Sequence, residues 1–406
     1  MTTTNGNSSS TSRPPTGIKV IVGFGGLGAA IECHRQGHSV EMYESFAELK
    51  QLGDIISFRP NAGRIFYRWS DGEVVRRMRP LSINLRKYGF NIHKYDTGEI
   101  VMNQKTPEYS VEAPNFNGHK GGGGGGVHLG NRIHEYFEDE DESGIVLADG
   151  TKVKADITIA ADGVRSQARK AVLGYEDKPK SSGYAVWRAW FSSKEILADP
   201  LTAQFCEDGG YSSATIKTGQ DCCWVLTHPD KHNISESWSF PGKLSEVLQA
   251  IKDWDPMCKR IISETPESTL VDWKVVYRDP LPTWTSPRAR ILLLGDAAHY
   301  PFLPTSAQGA TQALEDGVSI AVCLRKGGEE NVQISVRARE KIRYDRVRET
   351  QKTGESTRDR WHKTDWERVR ENPEIVRLPR EDWIFDFDAE RNAEETYDDV
   401  VKGLMV

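Results

Sequence analysis

The sequence predicts an α/β protein: a parallel-sheet domain, an inserted mixed β-sheet domain and a helical C-terminal segment. Three stretches carry that expectation. Residues 18–44 read as strand, glycine-rich turn, helix, strand and then an acid. Residues 152–163 read as a strand ending in Asp162-Gly163. The run Ile291-Leu-Leu-Leu-Gly-Asp-Ala-Ala-His299 reads as a short buried strand that breaks at Gly295, with a helix starting near Gln308. Strands alternating with helices imply a parallel sheet, and the β-rich gap between the second and third stretches implies an insertion. The expected division is a disordered tail over 1–16, the parallel-sheet domain over 17–175 and 287–345, the inserted domain over 176–286 together with a hairpin from 81–104, and a helical region over 346–406.

Bulk properties narrow the function classes. Among 406 residues, 53 Lys and Arg stand against 59 Asp and Glu, a formal net charge of -6, which argues against nucleic acid or an anionic membrane as partner. No apolar run approaches the ~20 residues of a membrane helix. The Thr/Ser/Asn-rich stretch 1–15 lacks the apolar core of a secretory signal. Six cysteines are scattered without CxxC spacing, which fits reduced thiols in a cytoplasmic protein, without zinc or disulfides. A monomer or homodimer is expected.

The elements follow in order. Ile18-Lys-Val-Ile-Val22 is a β-branched strand. Gly23-Phe-Gly25-Gly26-Leu-Gly28 has G-x-G-x-x-G spacing before a helix over 27–36, which Gly37 ends. Such glycines let backbone N–H groups approach a pyrophosphate, and Glu44, after the strand 39–43, can accept from a ribose hydroxyl. The unit is Rossmann-like; the plainer alternative is a tight glycine turn. The same glycines also read as the end of a longer G-x-G-x-G-G-L loop whose first glycine is missing. Residues 53–61 read as a loop under the sheet and 62–69 as a helix. Residues 81–90 and 91–102 alternate about Asp96-Thr-Gly98, a hairpin able to extend the inserted domain's sheet. Lys120 precedes six glycines, 121–126, which hold neither helix nor strand and read as a linker.

A strand resumes over 127–130. The acidic run 135–142 reads as a solvated turn, and 144–147 pairs with 152–159 around Asp149-Gly150. Arg165 is expected to open a helix after Asp162-Gly163. It either meets a phosphate, or sits at the surface while Asp162 caps the helix. Residues 183–190, 212–216 and 222–227 read as strands rich in Trp and Tyr. Arg188, between Trp187 and Trp190, is either a half-exposed packing residue or a cation lining a cavity. Residues 247–262 read as one helix and 271–277 as a strand. From Arg337 to Asp365 the chain is helical and charge-rich, with Trp361 and Trp366 as core anchors.

Asp296 stands just beyond a strand's carboxyl end, where open α/β sheets place ligands. In the helix that follows, Ala310, Ala313, Leu314, Val318 and Ala321 fall at helical spacing. Its start near Gly309 offers unpaired N–H groups and roughly half a positive charge. A carboxylate for hydroxyls beside such a helix end suits a cofactor with both a polyol and an anion-forming ring. His299 reads as a structural hydrogen-bonder at the strand end, not as a base.

The GxGxxG unit with Glu44, the Asp162-Gly163 strand end and Gly295-Asp-Ala-Ala-His-x-Pro-x-x-Pro, in that order, resemble the single-component (group A) flavin monooxygenases, the para-hydroxybenzoate and salicylate hydroxylase family. The stretch from Gly295 through Gln308-Gly-Ala-Thr-Gln-Ala-Leu-Glu-Asp-Gly317 is the most specific. Gly-Tyr-Ala-Val-Trp-Arg188 and Ile342-Arg-Tyr-Asp-Arg346 are similar to fungal secondary-metabolite members, including indole-epoxidising enzymes. The resemblance runs from Ile18 to the C-terminus.

It implies FAD, with adenosine on Glu44, pyrophosphate at Gly23, Gly25 and Gly26, ribitol on Asp296, and the flavin pyrimidine edge at the helix starting near Gly309. It implies that Asp162 serves both FAD and the nicotinamide donor, that Ser57 and Lys120 contact FAD, and that Arg188 is the active-site arginine. Where the family has an Arg and a helix, this chain has Lys120 and glycines. The implied reaction uses NADPH or NADH as reductant and O2 as co-substrate. A C4a-hydroperoxide of FAD hydroxylates or epoxidises an aromatic or indole-type metabolite, while the protein excludes water and orients the substrate. Two alternatives remain. A homologue that binds flavin or ligand without turnover would follow from the short first loop and the glycine tract. A flavin halogenase would need a Trp-x-Trp-x-Ile-Pro stretch, which the chain lacks.

Overall fold

Apolar, β-branched-rich runs make central strands of the parallel sheet; the first strand ends at Gly23, and Glu44 follows the second. In the computed structural model, which describes residues 13–23, 26–48, 56–82, 89–105, 109–110, 112–114, 116–117, 127–207, 221–230, 240–299, 308–378 and 381–406, β1 (Lys19–Gly23) lies parallel to β2 (Ser39–Tyr43), joined by helix α1 (Leu27–Arg35). The expected strand 212–216 and the glycine tract lie outside the described residues.

A two-residue strand β3 (Ser57–Phe58) leads into α2 (Pro60–Arg68), where Pro60 takes the first helical position, at which its missing N–H costs nothing. Helix α3 (Glu73–Met78) follows. The hairpin forms between β4 (Phe90–His93) and β5 (Ile100–Gln104), turning over 95–97. Among the described residues it is a two-stranded sheet of its own and pairs with no strand of the inserted domain's sheet. Its neighbours explain this. Gln104 exchanges two hydrogen bonds with Leu378, Phe90 stacks on Trp361, Tyr95 tilts against Trp366, and the Asp255 N–H donates to the Tyr95 carbonyl at 2.7 Å. The hairpin is thus held by side chains from both the inserted domain and the C-terminal helices.

β6 (Phe116–Asn117) pairs with β3, and β7 (Val127–His128) with β2. Then β8 (Ile133–Glu138), β9 (Ser143–Leu147) and β10 (Lys152–Ala155) make an antiparallel sheet. The acidic run expected as a solvated turn is therefore strand in its first half, 135–138, and turn in its second, where the Asp139 N–H donates to the Glu142 carbonyl at 2.9 Å. Its charges hide the pattern, but Tyr136 is buried and Glu138 accepts from the Ser286 hydroxyl and from the Arg288 and Arg290 N–H groups at 3.0 and 3.2 Å. β11 (Ile157–Ala160) runs into helix α4 (Ala168–Leu173).

The inserted sheet comprises β12 (Lys180–Ser192), β13 (Asp221–Pro229) and β14 (Val271–Tyr277). It is antiparallel throughout, with β12 in the centre. Short helices α5 (Lys194–Ala198) and α6 (Pro200–Glu207) follow β12. The expected helix over 247–262 is two, α7 (Leu244–Ala250) and α8 (Pro256–Ser263). Asp255 accepts from the Cys258 N–H at 3.3 Å and Pro256 has no N–H, so together they start a new helix there.

Strand β15 (Ile291–Leu293), the one-turn helix α9 (Asp296–His299) and the helices α10 (Gly309–Gly327), α11 (Val332–His362), α12 (Trp366–Glu371), α13 (Asp382–Phe385) and α14 (Ala389–Leu404) complete the chain. The parallel sheet has the order β15-β11-β1-β2-β7. Strands β1, β11 and β15 bury Ile21, Val22, Ile157, Ile159, Leu292 and Leu293 completely. Helices α1 and α10 touch at glycine: a Cβ on Gly317 would come within 2.6 Å of the Ala29 Cα, so the backbones meet there. No described helix is long and apolar enough to cross a membrane.

Candidate active site

The strand-end carboxylate is placed by a glycine turn. The Leu294 N–H bonds the Ala160 carbonyl at 3.0 Å, which keeps β15 aligned with β11 to its end. Gly295 then adopts φ +60°, where an added Cβ would also press on the Ala313 Cβ at 3.1 Å. Asp296 opens α9 half-buried. Burial raises its carboxyl above the ordinary range, against the pull of His299 and Arg169.

Two buried devices clamp this turn. On one side Arg169 of α4, 2% exposed, donates to the carbonyls of Asp296 at 2.7 Å, Ala297 at 2.8 Å and Val164 at 2.7 Å. It ties the Asp162 loop to the Asp296 turn. On the other side Asp316 of α10 meets the His299 Nε2 at 2.6 Å and the Gly295 N–H at 3.4 Å. His299 is thus the structural hydrogen-bonder its position predicts, and Gln351 of α11 donates to its carbonyl at 2.6 Å.

Beneath α10 lies a buried charge cluster. Arg343 donates through Nε to Asp316 at 3.0 Å and through Nη1 to Glu315 at 2.6 Å. Its Nη2 donates to the Gln312 Oε1 at 2.7 Å. Arg346 grips Glu315 with two bonds of 2.9 Å, and Asn61 of α2 donates to Glu315 at 2.7 Å and to Gln308 at 3.2 Å. Burial alone would raise both carboxyls. Arg346 and Arg343 outweigh it at Glu315, and Arg339, His299 and Arg343 at Asp316, so both stay below the ordinary carboxylate range. The first turns of α10 are thereby fixed against α2 and α11. Asp316 lies in the most specific stretch of the sequence, but Arg169, Asn61 and Arg339 do not stand out in it. The one hint is the i,i+4 pair Arg339 and Arg343 in a helix that also faces an adjacent Glu-Asp pair.

The other expected residues take these places. Gly23 ends β1 and Gly26 precedes α1, where a Cβ would meet the Val22 Cγ1 at 2.6 Å. Glu44 stands at the end of β2, half-buried, with its carboxylate turned onto the Ser45 hydroxyl and the Phe46 N–H at 2.9 Å each. Ser57 lies in β3 opposite Asn117, three residues before the helix whose Asn61 reaches Gln308. Gly309 is the first residue of α10. Gly25 and Lys120 lie outside the described residues. Asp162 is exposed and accepts from the Gln167 and Ala168 N–H groups at 2.9 and 3.5 Å, which is the capping role. The helix it caps starts at Ala168, three residues later than expected, and Arg165 sits in the exposed turn before it.

Arg188 sits mid-strand in β12, in register with Val225 and Val271. Strand alternation sends Trp187, Ala189 and Phe191 into a core with Ile196, Val247 and Leu270. Arg188 therefore shares the opposite face with Trp190 and Trp273, all three half-buried. Val276 of β14 packs on Val164, and Arg278 donates to the Val164 carbonyl at 2.9 Å, so the inserted sheet is joined to the Asp162 loop. Arg188 stands ~17 Å along the strand from that junction.

Comparison with known proteins agrees with this geometry. A family described as FAD binding domain matches residues 123–330. The FAD-dependent monooxygenase nanF of Aspergillus nanangensis is 32% identical, over 96% of this chain and 91% of its own. The asperlicin C monooxygenase of Petromyces alliaceus is 34% identical, over 97% and 91%. Among solved structures, CtdE in complex with FAD and a substrate superposes with a TM-score of 0.83 at 28% identity, covering 96% of this chain and all of that one. FqzB superposes with 0.81 at 30% identity, over 97% and 96%. A salicylate hydroxylase substrate complex, at 19% identity and a TM-score of 0.74 over 94% and 98%, shares the fold. With a parallel sheet that ends in the Asp296 turn, and relatives aligned over nearly its whole length, the chain belongs to the FAD binding domain family and is an FAD-dependent monooxygenase of the fungal secondary-metabolite type.

Proposed function

We propose that this monooxygenase uses NADPH or NADH and O2 to hydroxylate or epoxidise an aromatic or indole-type metabolite. The observation that carries the reading is the clamped Asp296 turn beside the start of α10, with an Arg–Trp face on the inserted sheet. The residues fit FAD. Near the start of α10, the Thr311 Oγ1 and the Asn61 Oδ1 are buried with no hydrogen-bond partner among the described residues. A half-buried carboxylate whose ionised form is penalised by burial stands close by. Polar groups left so are costly unless a ligand completes them.

On this reading Asp296 accepts from the ribitol hydroxyls, and the α10 start at Gly309 faces the pyrimidine edge. Glu44 holds the adenosine, Gly23, Gly25 and Gly26 give room to the pyrophosphate, and Ser57 and Lys120 touch FAD. Asp162 serves FAD and the nicotinamide donor from an exposed loop. Bound FAD supplies the electron carrier and the oxygen-activating ring. The chain orients the substrate and excludes water. Arg188 is the substrate-side cation, and Trp190 and Trp273 beside it favour a flat aromatic partner.

The test is purification with FAD, then NADPH and NADH oxidation across a panel of phenols and indoles. The expected result is a yellow protein whose nucleotide consumption rises with a panel member, giving a product one oxygen atom heavier. Stable flavin absorbance without nucleotide oxidation or oxygenated product would favour a homologue that binds flavin without turnover.

A further inference from the structure

The hydrogen bonds beneath the start of α10 fix which way its amide side chains point. Glu315 accepts from Arg343, from Arg346 and from the Asn61 Nδ2 at 2.7 Å. Its carboxyl is held below the ordinary range, so it is ionised and only accepts. The Asn61 atom that faces it is therefore the NH2 group. The same NH2 group lies 3.2 Å from the Gln308 Oε1. Gln312 is fixed in a similar way. Its Oε1 accepts from the Arg343 Nη2 at 2.7 Å, which turns its NH2 group onto the Gln308 Oε1 at 3.3 Å. Two NH2 groups thus converge on one end of the Gln308 side chain. That end can only be the carbonyl oxygen, so the Gln308 NH2 group is directed away from the cluster. The Asn61 Oδ1 is likewise turned away from Glu315. It is buried and meets no donor among the described residues. A buried acceptor left so is costly. The Glu315–Arg343 pair, acting through Asn61 and Gln312, therefore presents a donor on Gln308 close to an acceptor on Asn61. Gln308 directly precedes Gly309, and Asn61 stands four residues after Ser57. Both neighbours are residues that the proposed function sets against FAD.

We propose that Gln308 and Asn61 read the imide edge of the flavin pyrimidine, Gln308 donating from its NH2 group to a ring carbonyl and the Asn61 Oδ1 accepting from the ring N3–H. The inference rests on the reading that FAD presents this edge to the start of α10. An imide edge alternates carbonyl, N–H and carbonyl. One donor close to one acceptor matches it; two donors or two acceptors would not. The match requires no charge on the ring and holds for the neutral oxidised form. Glu315, Arg343 and Gln312 touch neither ring nor substrate. They are positioning residues that set the polarity of the two reading amides.

The test uses FAD-loaded protein and needs no turnover. FAD is compared with FAD methylated at N3, which lacks the N3–H, and the flavin carbonyl stretches are followed by difference infrared spectroscopy. Wild-type protein should bind the methylated cofactor on the order of 10-fold more weakly, the worth of one hydrogen bond. Asn61→Ala should narrow that gap, because it removes the acceptor that the methyl group opposes; an unchanged gap overturns the proposal. Gln308→Glu keeps the oxygen that Asn61 and Gln312 hold and replaces the donor by an acceptor. It should weaken binding of FAD itself and move a ring carbonyl stretch to higher frequency. A purely structural role would lower the urea midpoint of FAD-free protein and leave the carbonyl stretches of bound FAD unmoved, and that result overturns the proposal. Equal affinity of wild-type protein for the two cofactors overturns it as well, and that comparison needs no variant to fold. Wild-type protein that binds neither cofactor would instead overturn the underlying reading, and the inference with it.

Discussion

Arg169→Met should be among the most damaging single changes to the cofactor site, although Arg169 faces no ligand position. The side chain is buried and donates to three carbonyls, those of Val164, Asp296 and Ala297, at 2.7–2.8 Å. Hydrogen bonds to a charged group contribute ~1.5–3 kcal/mol each, and a buried acceptor left alone costs ~1–3 kcal/mol. The three bonds share one side chain, so the terms do not add; by analogy with breaking a buried ion pair, the loss should be about 3–5 kcal/mol. Against a total of ~5–15 kcal/mol this is severe but survivable. In urea the midpoint should fall by on the order of 1 M at an m-value of ~3 kcal/mol/M. The Asp296 turn loosens as well, so FAD affinity should drop at least ~10-fold, about 1.4 kcal/mol. Arg169→Lys keeps the charge but not the fork and should recover less than half. Burial, then the Arg278 charge, pushes the Arg169 pKa down to about 10. A base whose folded pKa lies below its unfolded value changes its contribution only as pH rises through that value. The deficit of Arg169→Met should therefore be flat between about pH 7 and 9. A Met variant with an unchanged urea midpoint and unchanged FAD affinity would refute the clamp.

Three further outcomes follow. Asp296→Asn should weaken FAD retention while raising the stability of FAD-free protein in urea by up to ~1 kcal/mol, because burial penalises the native carboxylate. A carboxyl raised in the folded state is penalised above its folded pKa, so the gap between variant and wild type should narrow on acidification; a gap that widens would contradict the assignment. Arg188→Ala should cut product formation with FAD still bound, measured by product yield at full flavin occupancy, and normal turnover would remove Arg188 from the site. Gly317→Ala should destabilise by ~1–3 kcal/mol, since its Cβ would lie 2.6 and 2.8 Å from the Ala29 Cα and N. An unchanged thermal midpoint would show that α1 and α10 are not in backbone contact.

The parallel half of the fold was legible because its signals are local. Val20 to Val22, Ile157 to Ile159 and Ile291 to Leu293 are apolar apart from the buried Thr158, since strands covered on both faces need no polar alternation. The misread stretches are those whose partner lies far away. β8 carries two glutamates, a histidine and one buried tyrosine, so its strand character depends on β9 and on the Ser286–Arg290 turn that Glu138 holds. The hairpin 90–104 shows its own pairing but not its place, which Trp361, Leu378 and Asp255 decide.

The site divides along the same line. Asp296 announces itself because strand, glycine and acid are consecutive, and Gly309 because a helix must begin somewhere after them. What aims Asp296 is not consecutive. Arg169 reaches it across 127 positions, and Asp316 reaches Gly295 across 21. Nothing near Arg169 or Arg339 in the chain marks either as buried; each is one of 53 basic residues until the sheet order β15-β11 and the crossing of α10 with α11 enclose it. The type of a strand-end side chain thus reports which chemistry a turn can support. Its orientation belongs to arginines that only the assembled fold selects. Substitutions at Arg169, Asp316 or Arg346 should therefore act on the cofactor site as directly as substitutions within it, and that equivalence separates a clamped turn from a merely exposed one.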